Sequence, residues 1–540
     1  MMDDEHGETL IRIALHFALP QRYSPFMPIR RHGSNPLLPL LALAVVIGLF
    51  TLLIFRTSEP VSFDDALRHM AMAKLLAARG ILSVPGWSTF FSGGMLHTLP
   101  TDPWFLADVI LIPFLRFPTV IGIKIFTLTE ILFLGLSFLF VLRRWTVSSM
   151  ASAVLLLLLF LGNYLFFLRS ALGRPYPVAV AITILVVWAV MERRGAVLAV
   201  LLCVSTLLSQ LFLFPLCVAL VGAAWLQTLG ERRAAFLLCT ASLAGVSAGF
   251  LLHPASADYL RYILTVFTRI PLLSHRLRLG MEMNNADPSS LYPVITATGT
   301  VILGSVFLAH HVPSQWRKVH LSGLSYLWAL TLLLFPAYLF WGRGIDFLWP
   351  IIILSIGRML SLQPDIAASI VRYMFPKRFA SNIGAALIVF LCATEMWIAL
   401  SGFRKTSHLS SFTIPSTVPA ESHILTVDWD LFAPCVSSRP DLVYATGIDA
   451  SFTYLANPAL AELLGYTKSS KGLMNLDPSF DVNDWLTQTL SHSPSDYIAL
   501  RRTRHPQLIY LLQQSPTTQQ VMVNREMAVF KVVRTSKIIP

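Results

Sequence analysis

Charge is scarce in this chain. Of 540 residues only 13% are Asp, Glu, Lys or Arg, while 55% are hydrophobic; soluble globular chains carry about 25% charged residues. That deficit excludes a soluble enzyme and an intrinsically disordered protein. Cysteine is sparse too: there are five, at spacings that match neither a zinc site nor a disulfide framework, which excludes a secreted disulfide scaffold. Cys203, Cys217, Cys239 and Cys392 lie in apolar runs and read as packing residues, and Cys435 stands alone near the end. No repeat of fixed period is present, which argues against an inverted-repeat transporter. The class left is a polytopic membrane protein, provided the apolar residues form long blocks.

They do. A bilayer-crossing helix needs about 20 predominantly apolar residues. The first such block is 37–55, LLPLLALAVVIGLFTLLIF, and further ones lie at 119–142, 149–168, 175–191, 196–211, 213–229, 234–252, 291–309, 320–340, 345–361 and 381–400. The expected architecture is an all-α membrane domain of about eleven spans over 37–401. A cytoplasmic segment, 1–36, precedes it, with no small-residue cleavage site behind its late apolar run. Basic pairs sit hard against alternate helix ends: Arg143-Arg144, Arg193-Arg194, Arg232-Arg233, Arg317-Lys318 and Arg372/Lys377/Arg378. By the positive-inside rule these mark the cytoplasmic face. The opposite connections collect the isolated acids Glu59, Asp64, Asp65, Asp102, Asp108, Asp258, Glu282, Asp287 and Asp346. Residues 1–401 hold 29 basic and 18 acidic side chains, so they carry most of the net charge of +12. That charge orients helices, and nucleic-acid binding is a poor reading of it.

Three segments on the acidic side are too long to be connectors: loop 56–118, loop 253–290 and the tail 402–540. The tail is richer in charge, with 12 basic and 11 acidic residues. Its runs HILTVD, LVYATG, DYIAL and MAVFKVV read as strands, and NPALAELLGY and DVNDWLTQTL between them as helices. DVNDWL offers Asp481 as an N-cap. The tail is therefore expected to be a soluble, extracytoplasmic α/β domain.

The strongest candidate for chemistry is SFDDALRHMAMAKLLAARG, residues 62–80. Its spacing predicts a helix ended by Gly80, with Asp64 and Asp65 at the N-terminus, where acids are favoured anyway. Asp65 and His69 share a face, as do Asp64 and Arg68. On composition alone this is equally a surface helix with a charged cap. Downstream, Asp102 precedes Pro103 in a turn. Arg174 stands at a helix mouth before Pro175, His253 follows a span in GFLLHPASADYL, and Arg343, Asp346 and Pro350 punctuate FWGRGIDFLWPIIIL. Each has a plainer explanation: arginines snorkel to headgroups, Arg343 and Asp346 can pair at i, i+3, and His253 can end a helix. Lys124, near the end of its run, reads as snorkelling, and Glu130 in the same run has no evident role.

An acidic pair directly after the first span, beside an Ala-rich helix, resembles the first outer loop of the GT-C class of glycosyltransferases, multispan enzymes that use polyprenyl-phosphate-linked sugars. Arg174-Pro175, the His253 exit and Arg343-x-x-Asp346-aromatic-x-x-Pro350 look like runs in bacterial relatives, with Asp346 where Glu is usual. In the tail, Trp429-Asp430-Leu-Phe432-Ala433-Pro434 and Gly447-Ile-Asp449-Ala450-Ser451-Phe452 resemble a shared C-terminal stretch of such proteins, with an additional Ala433 and with Ala450 in place of Pro. The resemblance implies a transferase of the bacterial inner membrane that moves a sugar from a polyprenyl-phosphate donor to an extracytoplasmic glycan, lipid or protein. It implies Asp65, or Asp64, as the catalytic acid/base or metal ligand. Arg174 and Arg343 would hold the lipid phosphate, and His69, Asp102, His253 and Asp346 would line the cavity. The chemistry suits those residue types: an acceptor hydroxyl must lose a proton to a carboxylate, and a leaving phosphate needs cations. No metal-ligand cluster is evident, so the cofactor is left open, a divalent metal included. The competing readings are a transporter or flippase of lipid-linked glycans, and a catalytically silent scaffold of the same fold.

Overall fold

The computed structural model describes residues 36–56, 58–59, 65–83, 85–273, 276–277, 288–311, 314–340, 342–362, 394, 409–470, 473 and 476–533. In the first block the sequence forms helices wherever it is apolar all round: α1 (Leu37–Ile54), α2 (Asp65–Arg79), α3 (Met95–Thr98), α4 (Phe105–Leu111), α5 (Thr119–Arg144), α6 (Ser149–Leu161), α7 (Tyr164–Ser170), α8 (Tyr176–Met191), α9 (Gly195–Leu208), α10 (Leu213–Thr228), α11 (Arg232–Leu252), α12 (Ser256–Leu273), α13 (Pro288–His311), α14 (Ser314–Phe340) and α15 (Ile345–Leu362). Every expected span up to 345–361 carries a helix or a helix pair; 381–400 lies outside the described residues. Six described helices are long and apolar enough to cross a membrane, or seven if the bent α6–α7 pair counts as one span; α8, α9 and Leu291–Val306 are shorter apolar helices. By that measure the expected number of about eleven is not reached among the described residues.

Two backbone features aim side chains at the site. Helix α6 stops at Gly162, and Asn163 caps α7 by accepting from Phe166 N at 3.1 Å, so the chain turns through 80°. Asn163 competes with the helix ladder and starts a new one. The bend places Arg169, near the end of α7, against α15. Next, Gly173 adopts φ +68°, and a Cβ there would lie 2.9 Å from Ile123 Cγ2 and Thr127 Oγ1 and 3.4 Å from Ala66 Cβ. Only glycine allows both the left-handed turn and this approach to α5 and α2. Gly173→Ala is therefore expected to displace Arg174 from Asp65, read as a loss of activity larger than the change in thermal midpoint.

The tail is the expected α/β unit: β1 (His423–Thr426), α16 (Phe432–Ser438), β2 (Val443–Tyr444), α17 (Ala450–Ala456), α18 (Pro458–Leu463), α19 (Val482–His492), β3 (Tyr497–Arg501), α20 (Pro506–Gln514), β4 (Thr518–Val523) and β5 (Met527–Val532). The sheet order is β2-β1-β3-β5-β4, with β2, β1 and β3 parallel and β5 and β4 antiparallel. Asp481 caps α19 as expected, accepting from Asn483 N and Asp484 N. Alternate strand residues serve two cores. Leu425, Ile498, Leu500 and Phe530 pack under the tail's own helices. Ile424, Tyr444, Tyr497, Ala499 and Val529 join the core of the membrane-spanning part.

The tail thus meets loop 56–118 and loop 253–290. Phe91 bridges in parallel to Tyr444, and Ser92 N donates to Tyr444 O at 2.9 Å, which extends the sheet edge with loop 56–118. Leu277 of loop 253–290 bridges to Thr467. Helix α16 packs on α2: Ala433 lies among Ala66, Leu67, Met70 and Ala73, and Phe432 stacks on Phe91 at 4.6 Å and sits edge-on to Trp87 at 6.2 Å. Helix α2 is consequently buried over Ala66–Ala73, not a surface helix. Phe432→Ala is expected to cost about 3–5 kcal/mol, seen as faster proteolysis between tail and membrane part.

Candidate active site

The site grows from the start of α2. Asp65 is its first residue and Gly80 (φ +94°) ends it. Asp65 lies between two guanidiniums: Arg68 Nε donates to Oδ1 at 2.8 Å, and Arg174 Nε is 3.3 Å from Oδ2. Burial by itself would raise the carboxyl. Arg174 and Arg68 override it and hold Asp65 well below the usual carboxylate range. The Asp65 side chain keeps 15% of its surface, against 3% for Arg68 and 5% for Arg174, so the acid is the reachable member of the trio. Asp64 lies outside the described residues.

The guanidinium carbon of Arg68 lies 4.0 Å from the centre of the Trp104 ring and 5.3 Å from that of the Trp87 ring. Trp87 Nε1 donates to Asp102 Oδ1 at 2.9 Å, as does Trp104 N at 3.0 Å. Asp102 is thus buried in the turn that its Asp-Pro sequence predicts, and its carbonyl accepts from His253 Nε2 at 2.9 Å. Ala255 N donates to His253 Nδ1 at 3.1 Å, so His253 is held as the neutral Nε2–H tautomer. Burial pushes His253 below its ordinary value. His69 does not pair with Asp65, although the two share a face; its Nδ1 is 2.6 Å from Asp108 Oδ1.

A second cluster surrounds Tyr176. The guanidinium carbons of Arg169, Arg174 and Arg343 lie 4.6, 5.7 and 6.0 Å from its ring centre, and Arg174 Nη1 donates to the phenol oxygen at 3.3 Å. Asp346 does not pair with Arg343 three residues earlier. It takes a two-pronged bond from Arg169, with Nε–Oδ1 and Nη2–Oδ2 both 2.8 Å. Arg174 joins the two clusters, so the described candidates Asp65, His69, Asp102, Arg174, His253, Arg343 and Asp346 form one connected network.

Sequence reasoning missed Arg169, Tyr176, Trp87, Trp104 and the pairing of Asp108. An arginine inside an apolar run was the available sign for Arg169. Lys124 is buried, with Nζ 5.3 Å from the Phe55 ring, and Glu130 is buried with no partner for either oxygen among the described residues. In the tail, Asp430 pairs with Arg501 and Arg504, and Asp449 caps α17; both build the fold. Among the described residues no three of His, Cys, Asp and Glu gather in a geometry that can hold a metal ion.

This architecture recurs in solved structures. The chain aligns with the archaeal oligosaccharyltransferase AglB from Archaeoglobus fulgidus, solved with an inhibitory peptide and a dolichol-phosphate: TM-score 0.50, 10% identity, 93% of this chain and 75% of that one. It aligns with the arabinofuranosyltransferase AftD from Mycobacteria at TM-score 0.55 and 13% identity, over 93% of this chain and 40% of that one. The fold is GT-C-like. The chain spans three quarters of the oligosaccharyltransferase but well under half of the arabinofuranosyltransferase. No family model and no curated protein sequence matches it. The GT-C-like fold, with its long apolar helices, makes this a multi-pass membrane protein.

Proposed function

We propose that the protein is a membrane glycosyltransferase that moves a sugar from a polyprenyl-phosphate donor to an acceptor on the outer face of a bacterial inner membrane. On this reading the N-terminus is cytoplasmic, and the outer loops and the tail from about 402 are extracytoplasmic. The observation that carries it is the clamped Asp65 carboxylate, ionised and reachable beside a cluster of arginines.

Asp65 is the base. Between Arg68 and Arg174 its basicity is low. A donor phosphate draws Arg174 to itself, because guanidinium binds phosphate by paired, charge-assisted bonds. Losing one cation raises the basicity of Asp65 at the moment the acceptor hydroxyl must be deprotonated. The acceptor oxygen attacks the anomeric carbon, the sugar–phosphate bond breaks, and the leaving charge falls to Arg174 and Arg343. Tyr176 keeps those arginines together, and Arg169, held by Asp346, braces the same ring. Asp102 and His253 fasten loop 56–118 to loop 253–290, and Phe452 of the tail, 6.1 Å from the Tyr262 ring, reaches the edge where an acceptor enters. The dolichol-phosphate in the AglB structure is a lipid phosphate of the kind this cluster suits.

Membranes containing the protein, given radiolabelled polyprenyl-phosphate sugars, should release or transfer the label. Intact donor in every case, with the protein folded, would overturn the reading.

A further inference from the structure

Asp108 has no part in the reading above. It lies fully buried in α4, its Oδ1 2.6 Å from His69 Nδ1. Its carboxyl also faces that of Asp102 closely enough for a hydrogen bond between them. Among the described residues, no donor reaches Oδ2 of either acid. The donors on Asp102, Trp87 Nε1 and Trp104 N, both occupy its Oδ1. Two adjacent buried carboxylates without a bound cation cannot both stay ionised. A proton between them satisfies both orphaned oxygens at once.

We propose that Asp102 and Asp108 hold one proton in common between their Oδ2 atoms, that Asp108 Oδ1 accepts from His69 Nδ1–H, and that Asp108 is thereby a positioning residue for His69 beside Asp65. With its proton on Nδ1, His69 stays neutral and leaves Nε2 as an acceptor, on a residue one helical turn from Asp65. His69 Nε2 is then a fixed acceptor for a hydroxyl of the sugar. Only this last step rests on the transferase reading.

The surrounding groups agree. Burial pushes Asp108 well above the carboxylate range and the charge of Asp102 adds to it, opposed by Arg68. Burial raises Asp102 against the bonds from Asp108, Trp104 and Trp87. Burial, then the charge of Arg68, push His69 well down, with Asp65 pulling the other way. From α11 the neighbour is neutral His253, and from α12 the phenol Tyr259, stacked on His253 at 4.3 Å. Helix α9, packed on α4, has no charged side chain, and Arg116 beyond α4 is exposed.

A raised carboxyl stabilises the folded state fully below its unfolded value, and that stability is lost as pH rises through the folded value. The thermal midpoint of the full chain in detergent, measured between about pH 5 and pH 9, separates the cases. Asp108→Asn supplies a neutral amide whose oxygen can accept from His69 Nδ1–H and whose nitrogen can donate to Asp102 Oδ2. It should match wild type at the acid end, lose part of the wild-type decline, and be the more stable protein at the alkaline end. Asp108→Ala should be less stable throughout. Asp108→Asn as unstable as Asp108→Ala at every pH, or with an unaltered decline, would overturn the proposal. Transfer by Asp108→Asn should stay within about tenfold of wild type and lose its alkaline fall. If no variant and no wild type transferred sugar, the transferase reading would fail and the midpoint comparison would still decide the proton.

Discussion

Asp65→Asn is expected to lower sugar transfer by about 10²–10⁴-fold, the usual contribution of a positioned general base, while donor binding changes much less. The substitution keeps the size of the side chain and lets its oxygen still accept from Arg68, now 2.8 Å from Oδ1. What it removes is the negative charge between two guanidiniums and the site for the acceptor proton. The loss should therefore fall on kcat, with KM for the donor unchanged or lowered, since Arg174 is freed for phosphate. Asp65→Glu should recover part of the rate, because it restores a carboxylate but displaces it by a methylene. A structural role alone predicts a different pattern: both variants would lose rate in proportion to lost thermal stability. Steady-state kinetics of the two variants beside their thermal midpoints tells these apart. Wild-type Asp65 is held below the usual carboxylate range, so its stabilisation is present above its unfolded value and fades only as pH falls through the lower folded one. The clamp should accordingly survive at neutral pH and fail first in acid.

Much of this arrangement was legible in the sequence because the physics was local. Apolar blocks gave the helices, alternating strand and helix patterns gave the tail, and Gly80 and Asp481 ended and began helices where expected. Asp65 and Arg174 were readable as an acid and a cation on one face, since charge is scarce enough for each to stand out. What stayed hidden depends on distant packing. Helix α2 looked like a surface helix because its burial comes from elements distant in sequence: Leu111 of α4, Ile123 and Phe126 of α5, and Ala433 of α16, more than 350 residues on. Strand β4, TQQVMV, is a polar edge strand with little apolar alternation, so it gave no sign. The i, i+3 spacing of Arg343 and Asp346 suggested a local pair. The bend at Asn163 brings Arg169 to Asp346 first, and its paired bond outcompetes the neighbour. The role of Gly173 rests on contacts with Ile123, Thr127 and Ala66 that no spacing encodes.

That Arg169–Asp346 pair carries the second large expectation. Both side chains keep only 5% of their surface, so removing one partner leaves an uncompensated charge in a water-poor site. Arg169→Leu is expected to destabilise the protein by about 3–5 kcal/mol, visible as a lowered thermal midpoint in detergent. Replacing both partners, Arg169→Leu with Asp346→Leu, should recover most of that loss, because an apolar pair avoids the desolvation cost of two ions. Activity should not follow stability back. Arg169 lies 4.6 Å from the Tyr176 ring, on which Arg174 and Arg343 also converge, and without it the ring loses the partner that fixes its place. The double variant is thus expected to be stable and to bind a polyprenyl-phosphate weakly, while Asp65→Asn binds it well and turns it over poorly. A double variant with wild-type affinity for the lipid phosphate would reduce Arg169 and Asp346 to a structural strut and leave phosphate binding to Arg174 and Arg343 alone.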